Sequence, residues 1–270
     1  MLFYRILTAV VLAAIIVPLV LYESPMGTVV LVAVFSALAV WELTGNLRAL
    51  QSPRGRVLAL ALGFLTVLGG YILPYKGVCA LFACYPLLII LLHLFLFNFI
   101  EDTVDSVVGL LFVVGYVVIP LTHAILLRRL DNGVAWVFFV LVVVCLGDAG
   151  AYFAGKYYGT HTFVKRISPK KTVEGVVGGF GGGVLGMVIM KLAAPILPEW
   201  SVLLELTLLL VLADVFGDLC ASAIKRRLKI KDFGVLLPGH GGVMDRADSL
   251  IFAFPLTYHY LILSGRSLPS

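Results

Sequence analysis

The strongest constraint on this chain is its succession of long apolar runs. Ile6–Leu21, Thr28–Leu43, Val57–Leu73, Val78–Phe99, Val107–Leu127, Val134–Ala154, Val176–Leu197, Val202–Ala223 and Ser249–Leu263 carry few charges. They are 15–22 residues long, the last the shortest, and the longer ones suffice for a helix to cross about 30 Å of hydrocarbon. In lipid every backbone N–H and C=O needs an internal partner, which a helix supplies. The sequence therefore predicts an all-α, polytopic integral membrane protein with about nine transmembrane helices. Composition agrees: 61% of the 270 residues are hydrophobic and 13% are charged, against about half and a quarter in soluble domains. A soluble helical fold would have no core large enough for this excess. The first run is long for a signal peptide and lacks a polar cleavage region, so it reads as an uncleaved span.

The net charge of +5 matters less than where the charge lies. Arg48, Arg54 and Arg56 follow the second run. Lys165, Arg166, Lys170 and Lys171 follow the sixth. Lys225, Arg226, Arg227, Lys229, Lys231 and Arg246 follow the eighth. All three connections fall on one face, which the positive-inside rule makes cytoplasmic. Arg128 and Arg129 fall on the opposite face and are outnumbered. Cys79, Cys84, Cys145 and Cys220 lie in or beside apolar runs without CxxC spacing, and are expected to be small buried hydrophobes.

The seventh run contains "GVVGGFGGGVLG". Gly175, Gly179 and Gly183 recur every fourth residue, as do Gly178, Gly182 and Gly186. Such spacing predicts close helix packing. A phosphate-cradling loop is the alternative, but it would follow a strand.

Acidic groups within membrane helices are costly and point to function. Asp214 and Asp218 are one turn apart, and Ser222 and Lys225 continue their face. Two such carboxylates cannot both be charged cheaply in a dry site, so a cation or a basic neighbour is expected. A polar helix–helix contact or a protonated pair is the plainer alternative. The loop beyond reads "KRRLKIKDFGVLLPGHGGVMDRADS". A topogenic role explains Arg227 and Lys229, but not the acids, the histidine or the glycines. That mixture suits a polyphosphate with a divalent metal. Asp245 and Asp248 would hold Mg²⁺, while Lys225, Arg226 and Arg246 would neutralise phosphate. Gly241 and Gly242 would let backbone N–H groups approach an anion. Asp248 could equally cap the last span.

A second polar cluster, "LGDAGAYFAGKYYGTHTFVKRISPKKTVEG", places Asp148 and Tyr152 one turn apart. Ser168 reads as a helix N-cap with Pro169 at the first position. Lys170 and Lys171 are then either surface lysines or phosphate ligands. His93, His123 and His259 are expected to be structural, and Lys191 is expected to snorkel to the interface.

These residues resemble the phosphatidate cytidylyltransferase family, also called CDP-diacylglycerol synthases. The resemblance rests on Ser222, Lys225–Arg226, Lys231–Asp232, Gly234, Pro238, His240–Gly241–Gly242, Asp245–Arg246 and Asp248, and extends to "SPKKTVEG" and the Asp148 region. Ala247 stands where the family commonly has a larger apolar residue. The resemblance implies transfer of a cytidylyl group from CTP to phosphatidic acid, giving CDP-diacylglycerol and pyrophosphate. It further implies Mg²⁺, with room for a second cation, held by Asp218 and Asp245 and supported by Asp214 and Asp248. Lys225, Arg226, Lys231, His240 and Arg246 would hold phosphates, joined by Ser168, Lys170, Lys171, Ser222, Asp148, Gly241 and Gly242 as substrate-binding groups.

On this reading residues 1–100 form N-terminal transmembrane helices, and residues 101–270 the transmembrane catalytic region with its cytoplasmic loops. The expected setting is the inner membrane, with the active site on the cytoplasmic side. A homodimer is the expected assembly, and no nucleic acid partner is expected. Two alternatives remain. A CTP-dependent lipid-alcohol kinase would pass on only the γ-phosphate. An ion-coupled transporter would use Asp148, Asp214 and Asp218 as a relay, but leaves "PGHGGVMDRAD" unexplained.

Overall fold

Helices take up most of the described residues in the computed structural model, which describes the backbone of residues 2–97, 103–165, 167–236 and 241–266. In order these are α1 (Leu2–Leu21), α2 (Met26–Asn46), α3 (Pro53–Ile72), α4 (Tyr75–Phe97), α5 (Thr103–Val113), α6 (Ile119–Arg128), α7 (Gly133–Tyr158), α8 (Val173–Ala193), α9 (Trp200–Leu228) and α10 (Met244–Leu263). A π-turn over Val114–Val118 joins α5 to α6 without a break. A two-stranded hairpin, β1 (Thr162–Val164) and β2 (Ser168–Thr172), stands between α7 and α8.

The protein is a nearly all-α membrane protein. Among the described residues five helical stretches, rather than nine, are long and apolar enough to cross a membrane. They are Met26–Asn46, Pro53–Ile72, Val104–Arg128, Gly133–Tyr158 and Val173–Ala193. The other expected spans differ for visible reasons. The described apolar stretches of α1 and α4 are short, Leu7–Leu21 and Ala83–Leu92. Helix α9 carries Glu205, Asp214 and Asp218, and α10 opens on Asp245, Arg246 and Asp248. Large apolar side chains such as Val57, Phe64, Val177 and Leu192 face outward, as lipid contact allows and water would not.

The four cysteines are free and exposed rather than buried. A thiol on an outward apolar face has lipid as its apolar surrounding, so it needs no place in the protein core.

The chain packs as two units. The first comprises Met1–Leu126 with Asp232–Asp245. Its core is built by α2, α3 and the α5–α6 helix, with Val40, Leu43, Leu62, Val114, Val117 and Ile125 buried. Ser52 caps α3 by accepting the Gly55 N–H at 3.1 Å, and Pro53 occupies the first turn, where its missing N–H costs nothing. His123 is buried with Nδ1 2.9 Å from the Ile119 carbonyl, the structural role expected of it. The side chain of His93 lies outside the described residues.

The second unit comprises Leu127–Lys231 with Arg246–Ser270. Here the glycine stripe packs α8 against α7 and α9. A Cβ on Gly186 would lie 3.0 Å from Val143 Cα, and one on Gly183 would lie 2.6 Å from Val211 Cγ2. The stripe is helical throughout, so it serves close packing and not a phosphate loop.

The segment from Ser168 departs from expectation. Ser168–Thr172 is strand β2, paired antiparallel with β1 through Thr162↔Thr172 and Val164↔Ser168. Thr172, not Ser168, caps the helix, its hydroxyl accepting the Gly175 N–H at 3.1 Å. Pro169 is tolerated because a two-stranded ribbon leaves one edge of each strand without ladder bonds.

Candidate active site

The packing of α7, α8 and α9 brings the last turns of α7, the first turns of α8 and the middle of α9 together in the second unit. Helix α7 contributes Asp148, Ala151, Tyr152 and Gly155, one face at helical spacing. Helix α8 contributes its first turns at Gly175, Val176 and Gly179. Helix α9 contributes Val211, Asp214, Val215 and Asp218. With Lys170, Lys171 and Thr172 of β2 they line a cavity of about 420 Å³. The tight contact of α7 with α8 sets its width, since Gly155 and Gly175 approach closely enough that added Cβ atoms would touch.

Lys171 reaches into this cavity. Its Nζ lies 2.8 Å from Asp218 Oδ2 and donates to the Val215 carbonyl at 3.2 Å. Ser222 Oγ lies 3.5 Å from the other oxygen, Oδ1. Asp214 is buried one turn deeper, and Ser249 Oγ of α10 donates to its Oδ1. Asp148 is within hydrogen-bonding reach of Asp214 and within electrostatic reach of Asp218, Lys171 and Arg246. Asp248 is buried close to Asp218, Asp148, Lys225 and Arg246, and its Oδ1 accepts the Ser249 N–H at 3.0 Å.

Four carboxylates thus crowd one region of the second unit, offset by Lys171, Lys225 and Arg246. Among the described residues no group of three or more His, Cys, Asp or Glu side chains is gathered tightly enough to cage a metal alone. Mg²⁺ asks for less: it commonly takes one or two carboxylates and fills its shell with water and substrate phosphate. The oxygen-only donors Asp148, Asp214 and Asp218 fit that requirement.

The other expected site residues are distributed as follows. Lys170 lines the cavity. Ser168 is half-buried on β2 outside the lining. Lys225 is half-buried, whereas Arg226, Lys231 and Arg246 are exposed. His240 lies outside the described residues. Gly241, Gly242 and Asp245 belong to the first unit.

There Asp245 is buried and organises its own loop. Its Oδ2 accepts the N–H of Phe233 at 2.9 Å and of Gly242 at 3.0 Å. Gly241 has φ +84°, a conformation that side-chain-bearing residues rarely adopt, and a Cβ there would lie 3.1 Å from the same Asp245 oxygen. Helix α10 starts at Met244, so Asp248 is inside the helix and is not its cap. The N–H groups of Val243 and Met244 are taken by Glu42 of α2, at 3.0 Å each.

Residues 3–264 match the cytidylyltransferase family. The chain belongs to that family. Among curated relatives, the phosphatidate cytidylyltransferase of Bacillus subtilis is 39% identical over 162 residues, 60% of each chain. Its namesake from Staphylococcus aureus strain COL is 39% identical over 134 residues, 50% of this chain and 52% of that one. The Staphylococcus epidermidis enzyme (strain RP62A) is 38% identical over 132 residues, 49% of this chain and 51% of its own. The matched part therefore spans between half and three-fifths of these relatives.

Within this cytidylyltransferase framework, two residues escaped sequence reasoning. Glu42 and Asn46 lie in the first hundred residues, where no motif draws notice. The signal was present: Glu42 is an acid in an apolar run, the same feature that drew attention to Asp214. The hairpin brace was missed too. Glu174 in the first turn of α8 accepts from Thr160 Oγ1 at 2.7 Å and lies 2.6 Å from His161 Nδ1.

Proposed function

We propose that this protein joins CTP to phosphatidic acid, giving CDP-diacylglycerol and pyrophosphate. The observation that carries the reading is the cavity between the end of α7, the start of α8 and the middle of α9, lined by Lys170 and Lys171 together with Asp148, Asp214 and Asp218. Family membership and the names of the relatives support it. A phosphate oxygen of phosphatidic acid forms a bond to the α-phosphorus of CTP. The bond from that phosphorus to the β-phosphate's bridging oxygen breaks, and pyrophosphate leaves with the electron pair. The lipid brings its own nucleophile, so the protein's task is alignment and charge neutralisation.

Lys171 is held by Asp218 and the Val215 carbonyl, a pre-set donor for phosphate oxygens. Lys170 stands beside it, and Lys225, Arg226, Lys231, His240 and Arg246 are proposed as further phosphate ligands. Asp214 and Asp218 would hold Mg²⁺, with Asp148 and Asp248 beside them, and Asp245 is proposed as a further ligand. When bound, the ion supplies neutralisation of phosphate charge. Gly241 and Gly242 are proposed to offer backbone N–H groups to phosphate. The basic connections support a multi-pass protein of the inner membrane with this site on the cytoplasmic side. There soluble CTP arrives from water and the lipid arrives sideways. A homodimer belongs to the same reading on the family resemblance alone.

The test is product analysis with purified protein, CTP and phosphatidic acid, with and without Mg²⁺. The reading expects a CDP-lipid and pyrophosphate only when Mg²⁺ is present. With a lipid alcohol supplied in place of phosphatidic acid, CDP and a newly phosphorylated lipid would instead identify a kinase.

A further inference from the structure

Glu42 is 201 residues from Val243 in sequence, yet its two oxygens divide the first amides of α10 between them. Oε1 accepts the Val243 N–H and Oε2 the Met244 N–H, each at 3.0 Å. One turn along α2, Asn46 Nδ2 donates to the Phe233 carbonyl at 2.9 Å and to the Glu42 carbonyl at 2.8 Å. Two glycines give the carboxylate its space. A Cβ on Gly242 would lie 2.7 Å from Glu42 Cδ, and one on Gly234 would lie 2.8 Å from Glu42 Cγ. Asp245 binds the same two arms through the amides of Phe233 and Gly242.

We infer that Glu42 is a positioning residue: it clasps Phe233–Gly234 and Gly242–Met244 to α2 and thereby fixes the first turn of α10 and the Asp245 carboxylate. A carboxylate at a helix N-terminus accepts charge-assisted bonds from free N–H groups and faces the positive end of the helix dipole. Both oxygens are needed, because the two amides are served separately. Glu42 acts through the loop and not on substrate. The clasp also accounts for Gly234 and Gly242, which must lack side chains for Glu42 to fit. The functional consequence rests on the cytidylyl transfer proposed above, whereas the clasp itself does not.

The experiment compares the full-length protein with Glu42→Gln and Asn46→Ala, in the same detergent, by hydrogen–deuterium exchange and steady-state kinetics. Glutamine keeps the shape but turns an NH₂ group towards one of the two amides. Exchange at Val243 and Met244 should quicken about 10-fold in Glu42→Gln, with α7 and α8 unchanged. The KM for CTP should rise about 10-fold, while that for phosphatidic acid stays within about two-fold. Asn46→Ala, which removes only the bonds to the Phe233 and Glu42 carbonyls, should shift the same readouts less. Unchanged exchange at Val243 and Met244 would overturn the clasp. So would exchange that quickens throughout the protein, or KM values for both substrates that rise together. If the unaltered protein fails to consume CTP and phosphatidic acid, the proposed function fails, and exchange alone still decides the clasp.

Discussion

Lys171 Nζ stands 2.8 Å from Asp218 Oδ2, joining strand β2 to helix α9 in the lining of the cavity. The ammonium is only partly exposed and is also held by the Val215 carbonyl. A lysine fixed in this way is a poor candidate for a mere topological marker.

Lys171→Ala should therefore reduce kcat/KM by at least about 100-fold, through loss of phosphate neutralisation. Arg227→Ala and Lys229→Ala remove the same charge from exposed positions and should stay within about two-fold. Asp218→Asn should cost several powers of ten, since it deprives Lys171 of its partner and the proposed Mg²⁺ of a ligand. Similar small losses across all four variants would make the lysine topogenic.

Asp248→Ser gives a separate test. Because α10 begins at Met244, a serine at 248 has no cap to restore. Asp248 is buried near Lys225 and Arg246, so its loss leaves their charge less balanced. Turnover should fall by about 100-fold, with expression and membrane insertion retained. Activity close to that of the parent protein would remove Asp248 from the site.

Helix α8 offers an adjacent pair of glycines with opposite expectations. Gly181 has no neighbour within 4 Å of an added Cβ. Gly181→Ala should be neutral or gain up to about 1 kcal/mol from helix propensity. Gly182 packs on α7, where a Cβ would lie 2.8 Å from the Leu146 carbonyl carbon. Gly182→Ala should cost about 1–3 kcal/mol through overpacking. Thermal unfolding in detergent measures both, and equal shifts would contradict the packing described for this stripe.

Several parts of this structure were legible in the sequence for physical reasons. A run long enough to cross lipid has few folded forms other than a helix, so the helical class was plain. Helical periodicity places Asp214 and Asp218 on one face, whereas Lys170 and Lys171 join the site only through the family resemblance. What escaped depends on partners distant in the chain. Nothing beside Asp248 signals that α10 starts four residues earlier, because its amide acceptor is Glu42 on α2. Ser168–Pro169 has the local form of a helix start, but pairing with Thr162–Val164 turns it into a strand. Asp245 is expected from the sequence to hold a metal, and its loop contacts are a separate matter. One of its oxygens also holds the loop amides of Phe233 and Gly242, a task that spacing alone does not reveal.

The central claim is that the bond broken in CTP lies between the α- and β-phosphates. Two parallel reactions, one with CTP labelled at the α-phosphorus and one at the γ-phosphorus, follow that bond directly in the presence of phosphatidic acid and Mg²⁺. The account predicts that the α-label enters the lipid fraction and the γ-label leaves as pyrophosphate. A γ-label in the lipid, or no label transferred by a folded, membrane-inserted protein, would contradict it.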